Sequence, residues 1–489
     1  MLDLNQLTGL QIYPASVSEA DGATYFLGRR GGDKMVGCIG RGSIQGPQLT
    51  VLNGLPVIVG ATDHTNAMAI RRALTWTAPR PLGLATSCGM GDRLGLATPG
   101  HLAAIGGTGI MPVLAQQSIR EMTRTQRSAE NVLDCATWGV LQVGWRGGFG
   151  SDGDHLQQFE GIDATAAAGF TMFTIDPGPH VNNAADKLKA SELAAAAGKV
   201  DPAGLEASLG DLKKRYVTDK PISLDGGGRI KFTEEALLRA VVKYGNAIAH
   251  TSRMYRHAQQ ASKAPFELEV SVDETESVTS PAEHYFFANE LKRLGVSWVS
   301  MAPRFPGRFE KGVDYIGDID DFAKAFKSHV AVMRTLGPYK MSIHSGSDKF
   351  SIYPTIAQIA GELVHLKTAG TSWLEALRAV AKINPGLFRE ILAFAIGRYE
   401  TDKQSYHVSA DIAKIKPADK VKDENLHKLL DDFHIRQVLH VTFGSVLTAD
   451  GGSRFKTPLY AAIKGSEETY CQVLQKHLGK HLAPFAKAD

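Results

Sequence analysis

The sequence predicts an α/β protein built on a (β/α)8 TIM-like barrel. A small N-terminal α/β lobe, a helical insertion and a helical C-terminal extension complete the expected architecture. Three observations lead there. The chain has 489 residues, the size of a large barrel with additions and too long for one small domain. From about residue 81, eight short apolar runs alternate with helical stretches, and such alternation gives parallel strands joined by crossover helices. No G-x-G-x-x-G fingerprint follows the first run, so the competing open doubly wound sheet lacks its main support.

The elements follow in chain order. Residues 1–78 read as the lobe, with the β-like runs ATYFLG, MVGCIG, LTVLNG and LPVIVG and then the helical NAMAIRRALTW. Residues 79–400 read as the barrel. Its runs are LGLATSCG, IMPVLAQQS, WGVLQVGW, FTMFTIDPG, FELEVSVDETE, VSWVSMAPRF, YKMSIHSGSDK and LVHLKTAGT. Helical stretches such as SAENVLDCA, EEALLRAVVKYGNAIAHTSRMYRHAQQ and PAEHYFFANELKRLG separate many of them. Residues 180–235 form a helical insertion between the fourth and fifth runs. Residues 401–489 read as a mostly helical extension packed on the barrel. It ends in one amphipathic helix, TPLYAAIKGSEETYCQVLQKHLGKHL.

Composition narrows the function. Hydrophobic residues make up 43% and charged residues 21%, with a formal net charge of +3. This near balance argues against a nucleic-acid binder. No apolar run reaches the roughly 18–20 residues that span a bilayer, and the N-terminus lacks the pattern of a signal peptide. Cys38, Cys88, Cys135 and Cys471 lie far apart and form no metal or disulfide framework. A cytoplasmic enzyme with a small-molecule partner is the expectation.

In barrels, residues at the C-terminal ends of several strands converge on one catalytic face. The stretch SDGDH, residues 151–155, places Asp154 beside His155 just after the third run. It is either an exposed polar turn or a base next to a metal ligand. The fifth run carries Glu269, Asp273, Glu274 and Glu276, the sixth delivers Arg304, the seventh His344, and the eighth His365 and Lys367. Each histidine alone suits a hydrogen-bonded core or surface role. Three at strand ends, with a carboxylate adjacent, suit a divalent cation of the Zn, Mn, Ni or Mg type. Gln116 and Gln117 end the second run, where amides suit sugar hydroxyls; Arg120 and Arg124 serve there or merely open a helix. HSGSDKF, with Asp348 and Lys349, reads as an anion cradle or as a helix start capped by Ser345 or Ser347. Asp92, Arg93 and His101 either hold substrate or close a loop. His407, Arg436 and His440 read as packing residues, and Asp176 as a turn former before Pro177.

With SDGDH, EVSVDETE, IHSGSDKFSIYP, HLKTAGTS and SYHVSAD in view, the sequence resembles the tagaturonate epimerase family, the hexuronate C4-epimerases. The resemblance runs from about residue 81 to the C-terminus and includes GDRLG, AQQSIRE, GFTMFTIDP, NPGLFREI and IRQVLHVTFGSVL. It implies a metal-dependent barrel enzyme interconverting D-tagaturonate and D-fructuronate. By motif match it implies Asp154 as proton acceptor, Glu269 as proton donor, and His155 and His344 as metal ligands. His365 is added from its strand-end position and a similarity to metal-dependent aldolases. Some relatives accept tagatose and fructose, so the uncharged sugars remain an alternative, as does a class II-like sugar aldolase.

The chemistry explains the residue types. Counting from the hydroxymethyl end, the ketone is C2 and the inverted centre C4. The C4 hydrogen is not α to the ketone, so enolisation cannot remove it. The C4 hydroxyl is β to it, so loss of its proton permits retro-aldol cleavage of C3–C4 and re-closure with inverted configuration. That route needs a base on one face and an acid on the other, which Asp154 and Glu269 are expected to supply from opposite sides of the barrel mouth, with a Lewis acid at the C2 oxygen. Transient oxidation at C4 would need a dinucleotide-binding G-x-G-x-x-G turn leading from the first run into a helix, and none stands there.

Overall fold

The computed structural model describes residues 4–487. The ends of the expected lobe and extension, residues 1–3 and 488–489, lie outside the described residues.

Six strands between Gln11 and Ala61 form an antiparallel sheet, followed by the helix His64–Ala73. Its central hairpin pairs Ala23–Arg30 with Asp33–Ile39 across Gly31–Gly32, the two-residue turn that twisted hairpins favour. The Phe26 ring lies directly over Gly37, where an added Cβ would stand 2.1 Å from it. Only glycine permits that approach. One sheet face buries Tyr25, Leu27 and Val36 against Ala67 and Ile70 of the helix and against Trp138 and Leu141 of a barrel helix. The lobe is thus packed onto the barrel wall.

Eight parallel strands close into a barrel in sequence order. They are β1 (Ser87–Gly89), β2 (Met111–Ser118), β3 (Gly150–Leu156), β4 (Met172–Ile175), β5 (Glu267–Ser271), β6 (Ser300–Ala302), β7 (Lys340–Ile343) and β8 (Val364–Lys367). Crossover helices surround them, among them Ala129–Val143, Phe159–Ala168, Glu234–Ala261 and Thr371–Ile383.

The third apolar run is a correction. WGVLQVGW lies in the helix Ala129–Val143, capped by Ser128 at its start and by left-handed Gly144 at its end. No breaker separates it from SAENVLDCA, so the helix runs straight through. The strand is the next segment, GSDGDHL, which has the composition of a loop. It qualifies as a strand because its alternate faces have partners. Asp152 and Asp154 meet the Lys367 ammonium, while Gly153 lies against Thr165 of the helix Phe159–Ala168, 3.0 Å from where its Cβ would be.

The insertion after β4 contains the helices Ala190–Ala197 and Leu209–Tyr216. It also contains a two-stranded hairpin, Ile222–Ser223 with Arg229–Ile230, turned by Gly226–Gly228. The single terminal helix expected from the pattern is two, Lys456–Gly465 and Glu467–Leu482, broken at Ser466. The second packs on Thr98–Ile105, where Leu474 fills the space beside Gly100, and on Thr371–Ile383.

Candidate active site

At the C-terminal mouth of the barrel, one ammonium gathers the charge. Lys367 ends β8, and its stem passes Gly89, where a Cβ would crowd it. Its Nζ lies 2.7 Å from Asp154 Oδ1, 2.7 Å from Glu269 Oε1, 2.8 Å from Asp152 Oδ2 and 2.7 Å from Thr174 Oγ1. An ammonium has three N–H groups, so four oxygens cannot all receive one. Asp152 Oδ2 is the oxygen left without a hydrogen bond. Burial, working against Lys367, pushes the Asp152 carboxyl up to about 6. Burial works the same way on Asp154 and Glu269, but Lys367 and the neighbouring histidines overcome it and hold both well below the usual carboxylate range.

Two imidazoles complete the cluster from opposite walls. His155, near the end of β3, and His344, just past β7, turn His155 Nε2 and His344 Nδ1 toward each other at 3.3 Å. Their other nitrogens meet carboxylates: His155 Nδ1 lies 3.1 Å from Asp176, and His344 Nε2 lies 2.5 Å from Glu269. Asp273 approaches His344 Nδ1 at 3.2 Å. His155 takes a left-handed backbone, φ 51°, to reach this position. Burial tends to lower both imidazoles, yet the carboxylates prevail. His155 is lifted well above its ordinary value and His344 to about 9.

This arrangement fits a divalent cation. In the tautomers that donate His155 Nδ1–H to Asp176 and His344 Nε2–H to Glu269, the two facing nitrogens present lone pairs, and two lone pairs can share one cation. Each histidine also has a carboxylate behind it, the support that fixes the tautomer of a metal-ligating imidazole. Asp154, His155 and His344 place their ligand atoms within 4.8 Å of one another.

The remaining candidates divide by strand geometry. Gln116 faces inward and donates to Asp154 Oδ2 at 2.6 Å. Gln117, its neighbour, points the other way by strand alternation, and both its amide atoms are buried without partners. His365 lies one layer below the mouth, two residues before Lys367 and level with Ser87 and Ser342. Its Nδ1 meets Ser87 Oγ at 2.8 Å, and burial pushes it down to about 3. The structure therefore does not bring His365 to His155 and His344. Nor does it bring Lys349 to the cavity: all three of its N–H groups go to the carbonyls of Glu310, Val313 and Ser347. Asp348 turns away to Arg436 and His477, 2.7 Å from each. Arg304 braces the loop after β5 through the Asp273 carbonyl at 3.1 Å.

Asp154 and Glu269 do not face each other across the mouth as expected. They come from strands separated by β4 and converge on the same lysine. Sequence reasoning passed over Asp152, although an i, i+2 spacing with Asp154 puts both on one face of a strand. It also read Asp176 as a turn former. Asp176 does accept from Gly178 N at 2.9 Å, and its other oxygen orients His155.

The inner cavity at this mouth measures about 40 Å3 and is lined by Asp154, His155, His344 and Lys367 among others. A cleft of about 650 Å3 opens beside it, sharing Arg120 and His155. No described helix is long and apolar enough to cross a membrane.

The chain matches the family model for tagaturonate epimerase over residues 13–485. It is 40% identical over 477 residues to the tagaturonate/fructuronate epimerase of Thermotoga maritima, covering 97% of this chain and 96% of that protein. Two crystal structures of the fructuronate-tagaturonate epimerase of Cohnella laeviribosi are similar at 36% identity and TM-score 0.91. The glycerol complex covers 97% of this chain and 96% of that one, and the native form 98% and 97%.

Proposed function

Because the chain belongs to the tagaturonate epimerase family, we propose that it interconverts D-tagaturonate and D-fructuronate by inverting C4. The observation that carries this reading is the convergence of Asp154 and Glu269 on Lys367, 2.7 Å from each, beside the facing nitrogens of His155 and His344.

His155 and His344 would hold a divalent cation of the Zn, Mn, Ni or Mg type, and such an ion supplies Lewis acidity toward the ketone. The rest is done by side chains. Asp154, ionised and on the cavity wall, takes the proton of the C4 hydroxyl. The C3–C4 bond breaks, leaving an aldehyde at C4 and an enolate at C3. After the aldehyde turns, C3 attacks its other face and the new C4 oxygen needs a proton. Lys367 Nζ, 2.7 Å away, passes its proton to Glu269, and Glu269 delivers it to that oxygen, with His344 Nε2 holding the carboxylate in place at 2.5 Å. Lys367 then takes back the proton held on Asp154, 2.7 Å away, which restores the ammonium and both carboxylates. Gln116 fixes the second oxygen of Asp154, leaving one oxygen for the chemistry.

The test is product identification. Purified protein with D-tagaturonate and a divalent ion should yield D-fructuronate. Turnover in D₂O should leave C4 unlabelled, because the C4 hydrogen never leaves carbon. Free three-carbon fragments would point to an aldolase, and deuterium at C4 in step with turnover would overturn the retro-aldol route.

A further inference from the structure

A ketohexuronate carries a carboxylate at C6, and the site must receive it. Four cations line the inner cavity: Arg93, Arg120, Lys311 and Lys367. Two are fully engaged. Arg93 is buried, donates to Glu121 at 2.8 Å and stacks 3.7 Å over the Phe443 ring. Lys367 already carries three carboxylates. Arg120, whose guanidinium lies 5.2 Å over the Tyr406 ring, and Lys311 make their ion pairs at long range, both to the same atom. Glu274 Oε1 lies 3.7 Å from Arg120 Nη2 and 3.9 Å from Lys311 Nζ. Lys311 also donates to Ser345 Oγ at 2.6 Å, next to His344.

Glu274 stands at a boundary. It and Arg120 line the outer cleft of about 650 Å3, while Arg120 and Lys311 line the inner cavity of about 40 Å3. Ligand cavities typically run about 300–1,000 Å3, so a six-carbon sugar acid needs the outer cleft as well as the inner cavity, and the two share Arg120. Glu274, Arg120 and Lys311 are all partly exposed, with side chains 36%, 38% and 21% accessible. Each sits on a connection and not within a strand. Glu274 follows β5, Arg120 opens the helix Ile119–Thr125 after β2, and Lys311 lies in the loop after β6.

We infer that Arg120 and Lys311 form the seat for the substrate's C6 carboxylate, and that Glu274 holds this seat until substrate displaces it. The inference rests on the hexuronate reading above. One carboxylate leaves as another enters, so the two cations are never left bare. An uncharged ketohexose offers a hydroxymethyl group at C6 and cannot replace Glu274. Discrimination thus comes from a competing group as well as an attractive one.

The test compares D-tagaturonate with D-tagatose, which differ at C6 as carboxylate and hydroxymethyl. Each is titrated calorimetrically into wild type, Arg120→Met, Lys311→Met and Glu274→Gln. A lost charge-assisted contact should weaken tagaturonate by about 10–100-fold in each cation variant, with tagatose changed less than about threefold. Glu274→Gln should tighten tagaturonate several-fold, and that gain should shrink when Arg120→Met is added. Equal losses on both sugars, or a Glu274→Gln variant that weakens tagaturonate as Arg120→Met does, would overturn the seat alone. A wild type that binds tagatose as well as tagaturonate would overturn the hexuronate reading itself.

Discussion

Two regions of this molecule share nearly the same ingredients. At the barrel mouth, His155 and His344 meet Asp154, Glu269 and a single cation, Lys367. Behind the loop after β7, His477 and His481 meet Asp348, Glu375 and Arg436, where the barrel joins the C-terminal extension. Both are buried, and both hold three groups spaced to surround an ion. They differ in what each histidine nitrogen has left to give. His481 Nε2 accepts from Asp348 N at 2.9 Å and its Nδ1 lies 3.1 Å from the His477 carbonyl. His477 spends its nitrogens on Asp348 at 2.7 Å and Glu375 at 3.4 Å. At the mouth, His344 meets Glu269 and Asp273, but His155 Nε2 has no carboxylate nearer than Asp154 at 4.0 Å and faces His344 Nδ1 beside a cavity. Composition does not make a site; unspent donor atoms with access to a ligand do. The rear cluster is a clamp. It holds the loop that carries His344, whose backbone takes left-handed φ at Ser345 and Asp348, 48° and 61°.

That contrast breaks if the clamp residues turn out to carry the chemistry. Asp154→Asn should fold and bind metal yet lower kcat by about 10²–10⁴-fold, the usual contribution of a general base. Asp348→Asn should lower it far less under conditions where it stays folded. Steady-state rates with D-tagaturonate compare the two directly. Lys367→Met should cost about 3–5 kcal/mol in urea unfolding, because it strands three carboxylates in a dry interior. It should also remove activity.

Much of this was legible in the sequence. The apolar runs other than the third coincide with strands, because strands buried on both faces read as continuous apolar segments. The third strand was hidden because its interior residues are the reactive ones: GSDGDHL spends its inward positions on Asp152 and Asp154 and its outward ones on glycine and serine. The same alternation separated Gln116 from Gln117. The histidines at 155 and 344 could be found as strand-end residues. His365 looks equivalent in sequence, but strand depth, which no spacing reveals, sets it one layer lower. Lys349 was unreadable for another reason: its three carbonyl partners come from its own loop and from the loop after β6.

A smaller effect sharpens the clamp side. Burial tends to raise the Asp348 carboxyl, but Arg436 and His477 hold it well below the usual carboxylate range. Its folded pKa is depressed, so its contribution to stability is present above the unfolded value of about 3.9 and fades as pH falls toward the folded one. Asp348→Asn should therefore be less stable than wild type at pH 7 in urea unfolding, with the gap narrowing below about pH 4. A gap that is constant with pH would mean the carboxylate's charge does not matter.

The measurement closest to the central claim is the metal-to-protein ratio. Wild type, His344→Ala and His481→Ala are each loaded with a divalent ion, dialysed and assayed by atomic emission. Wild type and His481→Ala should retain the ion and His344→Ala should lose it. Loss from His481→Ala with retention by His344→Ala would contradict the assignment of the two clusters.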